Sequence, residues 1–471
     1  MTQSKTGKPV RRAETQRGDA PKAGAPKRGY TLHRPAGFVP RAAAVRVVGE
    51  VVSQGRALDD ALERAFSMPI YAGMEQRDRA FSRLIVVTVL RRYGELDHVV
   101  RSFIDRPLPD NQGLLWPLLL CAAAQLLCLD TPPHAAISLA VEQTRADGGA
   151  RRFDKLVNAV LRRVAVDGPA RLAGLDAARV NTPDWAWQRW VATYGEALAR
   201  AIAMANLSEA ALDFSVKSDA SGWAEKLGGV VLPTGSVRVK NRGRIEDCPG
   251  YDEGEWWVQD AAAALPGRLL GDVRGKQIAD LCAAPGGKTA ELVVAGANVT
   301  SVELSATRAA RLTENLARLK LTAQIVVADV AKWAPGRLFD GVLLDAPCTA
   351  TGTIRRHPDI LALKRMADVA QLAEIQATLL KAASTLVKPG GLLVYCSCSL
   401  EPEEGRDVIT QFLNSHAEFT REPVQAEEIG GLQEAISAEG DLRTLPVHMT
   451  LDDPEMSGLD GFYAARLRRA G

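Results

Sequence analysis

Two cysteines stand at positions where a thiol can take part in chemistry. Cys348 closes the segment Asp345-Ala-Pro-Cys348, and Cys398 lies in Tyr395-Cys-Ser-Cys398-Ser, each just after an apolar run that predicts a buried strand. A free cysteine is usually a small buried apolar side chain, but that interpretation suits strand ends poorly, because ligands bind there in α/β sheets. We therefore treat both thiols as candidates for covalent chemistry.

A glycine-rich turn links a predicted strand to a predicted helix at Asp280-Leu-Cys-Ala-Ala-Pro-Gly-Gly-Lys-Thr289. Glycines at such a turn let backbone N–H groups approach a ligand at the positive end of a helix. The spacing is neither that of a P-loop nor the G-x-G-x-x-G of a dinucleotide fold. The turn indicates a cofactor loop, and a tight turn without a ligand is the alternative.

Acidic residues end the strands that follow this turn. Glu303 ends the next predicted strand, about twenty residues on, where a carboxylate can accept both ribose hydroxyls of an adenosine ligand. Asp329 ends the strand after that, and Asp345 ends the fourth. One such acid alone would more often be a helix cap or a solvated residue. Because the carboxyl ends of parallel strands meet at one edge, the three acids and the turn predict a single pocket.

Two thiols and a carboxylate at one pocket meet the needs of methyl transfer to C5 of cytosine. C5 is a weak nucleophile until a thiolate adds to C6 and makes C5 enamine-like. A base must later remove the C5 proton so that the thiol can leave. One cysteine to attack, one to assist release and Asp345 satisfy this list. The residues alone leave open which of the two thiols attacks.

These segments resemble the RNA cytosine-5 methyltransferase family over roughly residues 180–471. The helical region at 41–165 resembles the antitermination factor NusB, a fusion typical of the bacterial ribosomal small subunit methyltransferase B branch, which modifies 16S rRNA. The motifs that carry the resemblance are Asp280–Thr289, Leu344-Asp-Ala-Pro-Cys-Thr-Ala-Thr-Gly352 and Tyr395-Cys-Ser-Cys-Ser-Leu-Glu-Pro-Glu-Glu404, with Ile354–Asp359, Trp257–Ala261 and Gly461–Tyr463 in support.

The resemblance implies S-adenosylmethionine as cofactor and a role for each motif residue. Cys398 would be the nucleophile, Cys348 would be needed for product release, and Asp345 would face the reactive centre. DNA cytosine methyltransferases attack with the cysteine of a Pro-Cys motif, which makes Cys348 the rival nucleophile. The residues implied to bind the cofactor are Cys282, Ala283, Ala284, Pro285, Gly286, Gly287, Lys288, Glu303, Asp329 and Asp345.

Four positions depart from the family's pattern. Ser397 stands where threonine is usual, Gly405 where asparagine commonly follows Pro-Glu-Glu, and Glu303 where aspartate is more frequent. The segment Thr349-Ala-Thr-Gly352 replaces Ser-Gly-Thr-Gly. No departure removes a reacting group, so we expect an active enzyme.

The order of predicted elements divides the chain. Apolar residues at helical spacing predict an all-helical region, and strands alternating with helices from Asp260 predict an α/β sheet. With the resemblance, the expected fold is a Rossmann-like class I methyltransferase sheet preceded by a helical domain and a small α+β connector. The predicted domains are a disordered basic arm at 1–40, a NusB-like RNA-binding domain at 41–165, the connector at 183–257 and the methyltransferase domain at 258–471.

Basic residues in three places are candidates for contacts to RNA phosphates, with ordinary surface charge as the alternative. Before Pro40, nine basic residues stand against two acidic ones among Pro, Gly, Ala and Ser, which predicts a flexible arm. The other candidates are Arg238, Lys240, Arg242 and Arg244 in the connector, and Arg355, Arg356, His357, Lys364 and Arg365 after the Asp345 loop.

Composition excludes several classes of protein. The net charge of +2 over 471 residues is not that of a polycation, and no apolar run is long enough to span a membrane. No apolar segment of a secretory signal follows the basic arm. Seven cysteines and six scattered histidines show no metal-binding spacing, so we expect reduced thiols, no metal and a cytoplasmic protein. We also expect a monomer, and the family resemblance implies RNA as its partner, most simply small-subunit rRNA.

Three other functions stay open. The same chemistry on tRNA is one, although the NusB-like region argues against it. A non-catalytic RNA-binding or antitermination factor with a vestigial pocket is another, opposed by intact Lys288, Asp345 and Cys398. A nicotinamide dehydrogenase is the most distant, because its glycine pattern is missing.

Overall fold

The structure is a computed structural model that describes residues 35–240 and 243–471. Most of the predicted basic arm and Arg242 lie outside these residues. The last residues of the predicted arm belong to the first helix, which begins at Phe38.

Between Phe38 and Ala173 the chain is helical, as predicted. One core joins the helices through fully buried aliphatic side chains such as Ile85, Leu119 and Leu161. The last of these helices continues past the predicted domain limit at residue 165 to Ala173, and the short helix Ala177–Val180 follows it. The helices are α1 (Phe38–Gln54), α2 (Leu58–Ser67), α3 (Gln76–Arg91), α4 (Tyr93–Arg101), α5 (Leu115–Leu127), α6 (Pro133–Ala146) and α7 (Asp154–Ala173).

The connector is α+β, with helices followed by a small antiparallel sheet of order β2-β3-β1-β4. The prediction that Arg238 faces RNA is wrong. Its side chain is only 1% exposed and donates two hydrogen bonds to Asp213, of 2.6 and 2.7 Å, because an arginine inside this sheet needs a carboxylate partner. The elements are α8 (Ala177–Val180), α9 (Asp184–Tyr194), α10 (Glu196–Ala205), β1 (Leu212–Val216), α11 (Ala220–Leu227), β2 (Val230–Val231), β3 (Val237–Val239) and β4 (Trp256–Val258).

A larger sheet follows, with strand order β10-β12-β9-β8-β5-β6-β7 and β11 paired to β12. Its centre is parallel, as predicted, whereas β10, β11 and β12 add an antiparallel edge. The elements are α12 (Leu265–Arg268), β5 (Gln277–Leu281), α13 (Gly287–Val294), β6 (Asn298–Glu303), α14 (Ala306–Arg318), β7 (Gln324–Val327), β8 (Phe339–Asp345), α15 (Ile360–Leu363), α16 (Met366–Ser384), β9 (Val387–Ser397), α17 (Arg406–Ser415), β10 (Phe419–Arg421), β11 (Leu442–Thr444) and β12 (Phe462–Arg469).

The strand order reverses at β5, and this reversal locates the site. The chain runs outward from β5 to β6 and β7, then returns to place β8 on the other side of β5. A crevice opens at the carboxyl ends of strands where the order reverses in this way. The register brings Leu281 beside Leu344, and Asp345 beside Cys396, at that edge.

Candidate active site

The glycine-rich turn has the shape that its sequence predicts. Cys282 and Gly286 have φ of +59° and +104°, and α13 begins directly after the second. The hydroxyl of Thr289 donates to Asp280 Oδ2 at 2.5 Å, which ties the first turn of α13 to the end of β5. A Cβ at Gly286 would lie 3.2 Å from Leu312 Cγ, so both conformation and space favour glycine there.

Lys288 and Asp345 form an ion pair between the turn and β8. Lys288 Nζ donates to Asp345 Oδ2 at 2.8 Å and lies 4.8 Å from the centre of the Phe462 ring. Burial is the largest single influence and lowers the pKa of Lys288, but the charge and hydrogen bond of Asp345, together with Cys396 and Glu291, outweigh it, so the net pKa is raised. Lys288 is therefore a fixed positive charge beside Asp345.

The other predicted acids lie at the same edge of the sheet. Glu303 is 2% exposed at the end of β6, where Oε1 accepts the Ser305 N–H at 3.0 Å. Asp329 follows β7, is partly exposed, and accepts the Ala331 N–H at 3.0 Å. The structure thus brings the glycine turn and all three strand-end acids to one edge, as the sequence predicts.

Four thiols lie around this edge. The Sγ atoms of Cys348 and Cys398 are 3.4 Å apart, and the buried Cys396 thiol donates to Asp345 Oδ1 at 3.5 Å. Burial raises the pKa of Cys282 to about 12 and that of Cys396 well above its usual range. The hydrogen bond with Cys398 and burial together raise the pKa of Cys348. Cys282, Cys348 and Cys396 are therefore protonated thiols at neutral pH.

The loop after Cys348 and the end of β9 are joined by contacts that we did not predict. Gly352 donates its N–H to the Cys398 carbonyl at 3.0 Å and accepts the Gly461 N–H at 2.8 Å. A Cβ at Gly352 would lie 1.8 Å from the Gly461 carbonyl oxygen. The buried Glu404 carboxylate bridges the same two loops through Thr349 and Ser399. In the sequence, only the segment Pro402-Glu-Glu404 that follows Cys398 indicates these contacts.

Helix α9 of the connector holds the loop that follows Cys398. Arg189 Nε donates to Glu401 Oε2 at 2.5 Å, Trp190 Nε1 donates to Glu401 Oε1 at 3.2 Å, and Tyr194 donates its hydroxyl to the Leu400 carbonyl at 2.5 Å. The sequence of this Trp-rich helix does not indicate that its partner is the loop after β9.

Two departures from the family's pattern have structural consequences. A Cβ at Gly405 would lie 2.9 Å from Tyr463 Cγ, so a larger residue there would require the ring to move. Ala350, where the family has glycine, has φ +59°, a left-handed conformation that costs an alanine about 1 kcal/mol.

The prediction that Arg355 and Arg356 meet RNA phosphates is wrong, because both are used inside the fold. Arg355 is 4% exposed and donates to the Ser457 carbonyl at 2.8 Å. Arg356 pairs with Asp260 at 2.5 Å and with Asp460 at 3.1 Å. The exposed His357 and Arg365 and the half-buried Lys364 remain candidates.

Neither a membrane-spanning helix nor a metal-binding cluster occurs among the described residues. No helix in the part of the chain that the structure covers is long and apolar enough to cross a membrane. Within residues 35–240 and 243–471, no group of three or more His, Cys, Asp and Glu side chains could hold a metal ion.

Comparison with known proteins identifies families and relatives that the chain resembles. Residues 268–468 match the family model described as 16S rRNA methyltransferase RsmB/F, and residues 39–166 match the NusB family. The ribosomal RNA small subunit methyltransferase B of Xylella fastidiosa is 35% identical over 92% of this chain and 98% of its own length. That of Vibrio cholerae is 36% identical over 79% of this chain and 88% of its own.

Solved structures share the fold. The crystal structure of PH0851 has a TM-score of 0.71 and 22% identity, covering 91% of this chain and 99% of its own. That of NSun6 from Pyrococcus horikoshii has a TM-score of 0.50 and 17% identity, covering 61% and 98%. The predicted fold class is thus confirmed, and with identity of 34 to 36% to methyltransferases of one kind over most of its length, the chain belongs to the RsmB/F family of 16S rRNA methyltransferases.

Proposed function

We propose that this protein transfers a methyl group from S-adenosylmethionine to C5 of a cytosine in small-subunit rRNA, through a covalent bond between Cys398 and C6. Membership of the RsmB/F family makes the chain a methyltransferase that uses S-adenosylmethionine. The observation that carries the covalent chemistry is the 3.4 Å contact between the Cys348 and Cys398 thiols, beside the Lys288–Asp345 ion pair.

The residues at the turn fit the cofactor, which supplies an electrophilic methyl group when it is bound. The fully buried Asp280 has one carboxylate oxygen, Oδ1, without a hydrogen-bond partner among the described residues. Glu303 offers a carboxylate at the next strand end, where ribose hydroxyls can donate to it. Asp280, Glu303 and the N–H groups at the start of α13 would hold the nucleoside and amino acid portions, with Asp329 at the adenine.

The two thiols have different roles at the target base. Cys398 attacks C6, and C5 becomes nucleophilic and accepts the methyl group. Solvent then accepts the C5 proton, the electrons of that C–H bond restore the C5–C6 double bond, and the Cys398 thiolate leaves C6; Cys348 assists this release. Asp345, fixed by Lys288, forms hydrogen bonds with the edge of the base.

A trapping experiment tests the nucleophile. With 16S rRNA containing 5-fluorocytosine, the C5 substituent cannot leave as a proton, so the wild type should accumulate a covalent complex that survives denaturing electrophoresis. Cys398→Ala should form none, and Cys348→Ala should accumulate the complex even on unmodified rRNA. Cys248→Ala removes a free cysteine of the connector that is distant in sequence from Cys348 and Cys398. It is the matched control and should behave as wild type. Trapping by Cys398→Ala at the wild-type rate would reject this assignment.

The substrate is tested separately. We expect radiolabelled S-adenosylmethionine to label small-subunit rRNA at least tenfold faster than tRNA, with bisulfite sequencing locating the modified cytosine. Faster labelling of tRNA would contradict the rRNA proposal while leaving the chemistry intact.

A further inference from the structure

A buried carboxylate joins the two loops that carry the active thiols. Glu404 is completely buried, and no reaction step assigned above uses it. Its Oε1 accepts the Thr349 N–H at 2.9 Å and the Gln376 side-chain amide at 3.2 Å. Its Oε2 accepts the Ser399 hydroxyl at 2.5 Å and also the Thr349 hydroxyl.

The positions of these donors matter because of their neighbours in the chain. Thr349 directly follows Cys348, and Ser399 directly follows Cys398. One carboxylate therefore holds the residue after each cysteine. The main-chain carbonyl of Glu404 also accepts the Ser397 hydroxyl at 2.8 Å, which fixes the chain just before Cys398.

The hydrogen bonds that Glu404 accepts can hold the two thiol-bearing loops at a fixed separation. Every partner is a donor, and an ionised carboxylate only accepts, so all of these hydrogen bonds are satisfied by the charged form. Hydrogen bonds to a charged acceptor are shorter and stronger than neutral ones. The negative charge also contributes to the raised pKa of Cys348, and so helps keep that thiol protonated.

We propose that Glu404 is a positioning residue that sets the distance between the Cys348 and Cys398 thiols and thereby couples release of the product to formation of the adduct. The catalytic consequence rests on the function proposed above, whereas the thiol separation does not.

The thiol separation can be measured without substrate. In a glutathione buffer, glutathione disulfide is reduced to two glutathione thiols as the two cysteines lose their hydrogens and form a disulfide. The equilibrium constant reports the effective concentration of one thiol at the other. At pH 7 we expect Glu404→Gln to lower this constant at least tenfold, measured by mass spectrometry of the Cys348–Cys398 peptide pair. Glu374→Gln, an exposed glutamate on α16, should leave it within twofold.

The catalytic consequence needs rRNA and S-adenosylmethionine. For Glu404→Gln we expect kcat to fall at least tenfold, KM for rRNA to stay within threefold, and the covalent complex to accumulate on unmodified rRNA. A merely structural role would lower the melting temperature without this accumulation. An unchanged glutathione constant with unchanged kcat would overturn the proposal, whereas failure of the wild type to methylate rRNA would overturn the proposed function instead.

A second pair of variants keeps the test decisive if Glu404→Gln does not fold. Thr349→Val and Ser399→Ala each remove one hydroxyl that Glu404 holds and leave the carboxylate in place. Together they should lower the glutathione constant at least fivefold. A constant equal to that of the wild type in the folded double variant would reject the role of Glu404.

Discussion

Asp280 shows how burial at the site changes the properties of a single residue. Its carboxyl group is fully buried between β5 and α13, and burial raises its pKa to about 7, against the opposing hydrogen bond from Thr289. In the unfolded chain an aspartate has a pKa of about 3.9. Between these two values the folded state binds more protons than the unfolded state. Its contribution to stability is therefore complete below about pH 4 and is lost as the pH rises through about 7.

Asp280→Asn removes this titration and keeps an acceptor for Thr289. From pH 5 to 7 we expect the free energy of unfolding of the wild type to fall relative to the variant by up to about 1.4 kcal/mol per pH unit. Urea unfolding at half-unit intervals measures the difference. In Asp272 the hydrogen bond from Arg274 lowers the pKa to about 2, so Asp272→Asn is the control and should run parallel to wild type. Parallel curves for Asp280→Asn would contradict the raised pKa.

At the scale of elements, helix α9 acts on the active site through the loop after β9. Its Arg189 and Trp190 both donate to Glu401, a carboxylate that is completely buried three residues after Cys398. A buried carboxylate is stable only with such partners. The connector therefore helps to hold the nucleophile's loop, although it contributes no reacting group.

Arg189→Leu tests whether the loop after Cys398 depends on helix α9. Loss of the guanidinium leaves the buried Glu401 charge with Trp190 alone, and we expect about 3 kcal/mol of destabilisation. We also expect Arg189→Leu to lower the rate of covalent trapping on 5-fluorocytosine rRNA. Arg200→Leu on α10 removes an ion pair with Asp176 that is exposed, and should cost much less because solvent screens the pair. Chemical denaturation compares the two, and equal losses would show that burial of Glu401 does not matter.

At the scale of the whole molecule, the helical region is attached to the rest by close backbone contacts. Gly94 in α4 lies so near the connector that a Cβ there would be 1.7 Å from the Val180 carbonyl oxygen. The N–H of Leu58, at the start of α2, donates to Asp359 Oδ2 at 2.9 Å, and Arg91 donates to the Arg355 carbonyl at 2.8 Å. The residues 354–363 after the Asp345 loop thus serve as a docking surface for the helices.

Gly94→Ala tests this attachment. In an isolated helix the change would stabilise by about 1 kcal/mol, because alanine is the better helix former. Here we expect a loss of more than about 2 kcal/mol, since the new methyl group must displace the connector backbone. Gly148→Ala is the matched control, because a Cβ there meets nothing within 4 Å. Thermal unfolding of both variants measures the change in stability. A Gly94→Ala variant more stable than the wild type would contradict the close contact.

The sequence by itself determined the class of fold, the family and which residues meet at the cofactor pocket. Alternating strands and helices predict a parallel sheet, and parallel strands bring their carboxyl ends to one edge, so the glycine-rich turn and the acids Glu303, Asp329 and Asp345 could be placed together before any contact was known. The family matches confirm the methyltransferase prediction and its cofactor. The predicted domain limits and residue roles stay predictions.

Tertiary structure alone decided which charged side chains are buried and what holds the two thiols. Arg238, Arg355 and Arg356 read as surface charge, because nothing local shows the carboxylates and carbonyls that receive them from distant parts of the chain. Cys348 and Cys398 are fifty residues apart in sequence and 3.4 Å apart in space. A local pattern can state that a residue ends a strand, but the partner of a buried charge depends on how separate elements pack.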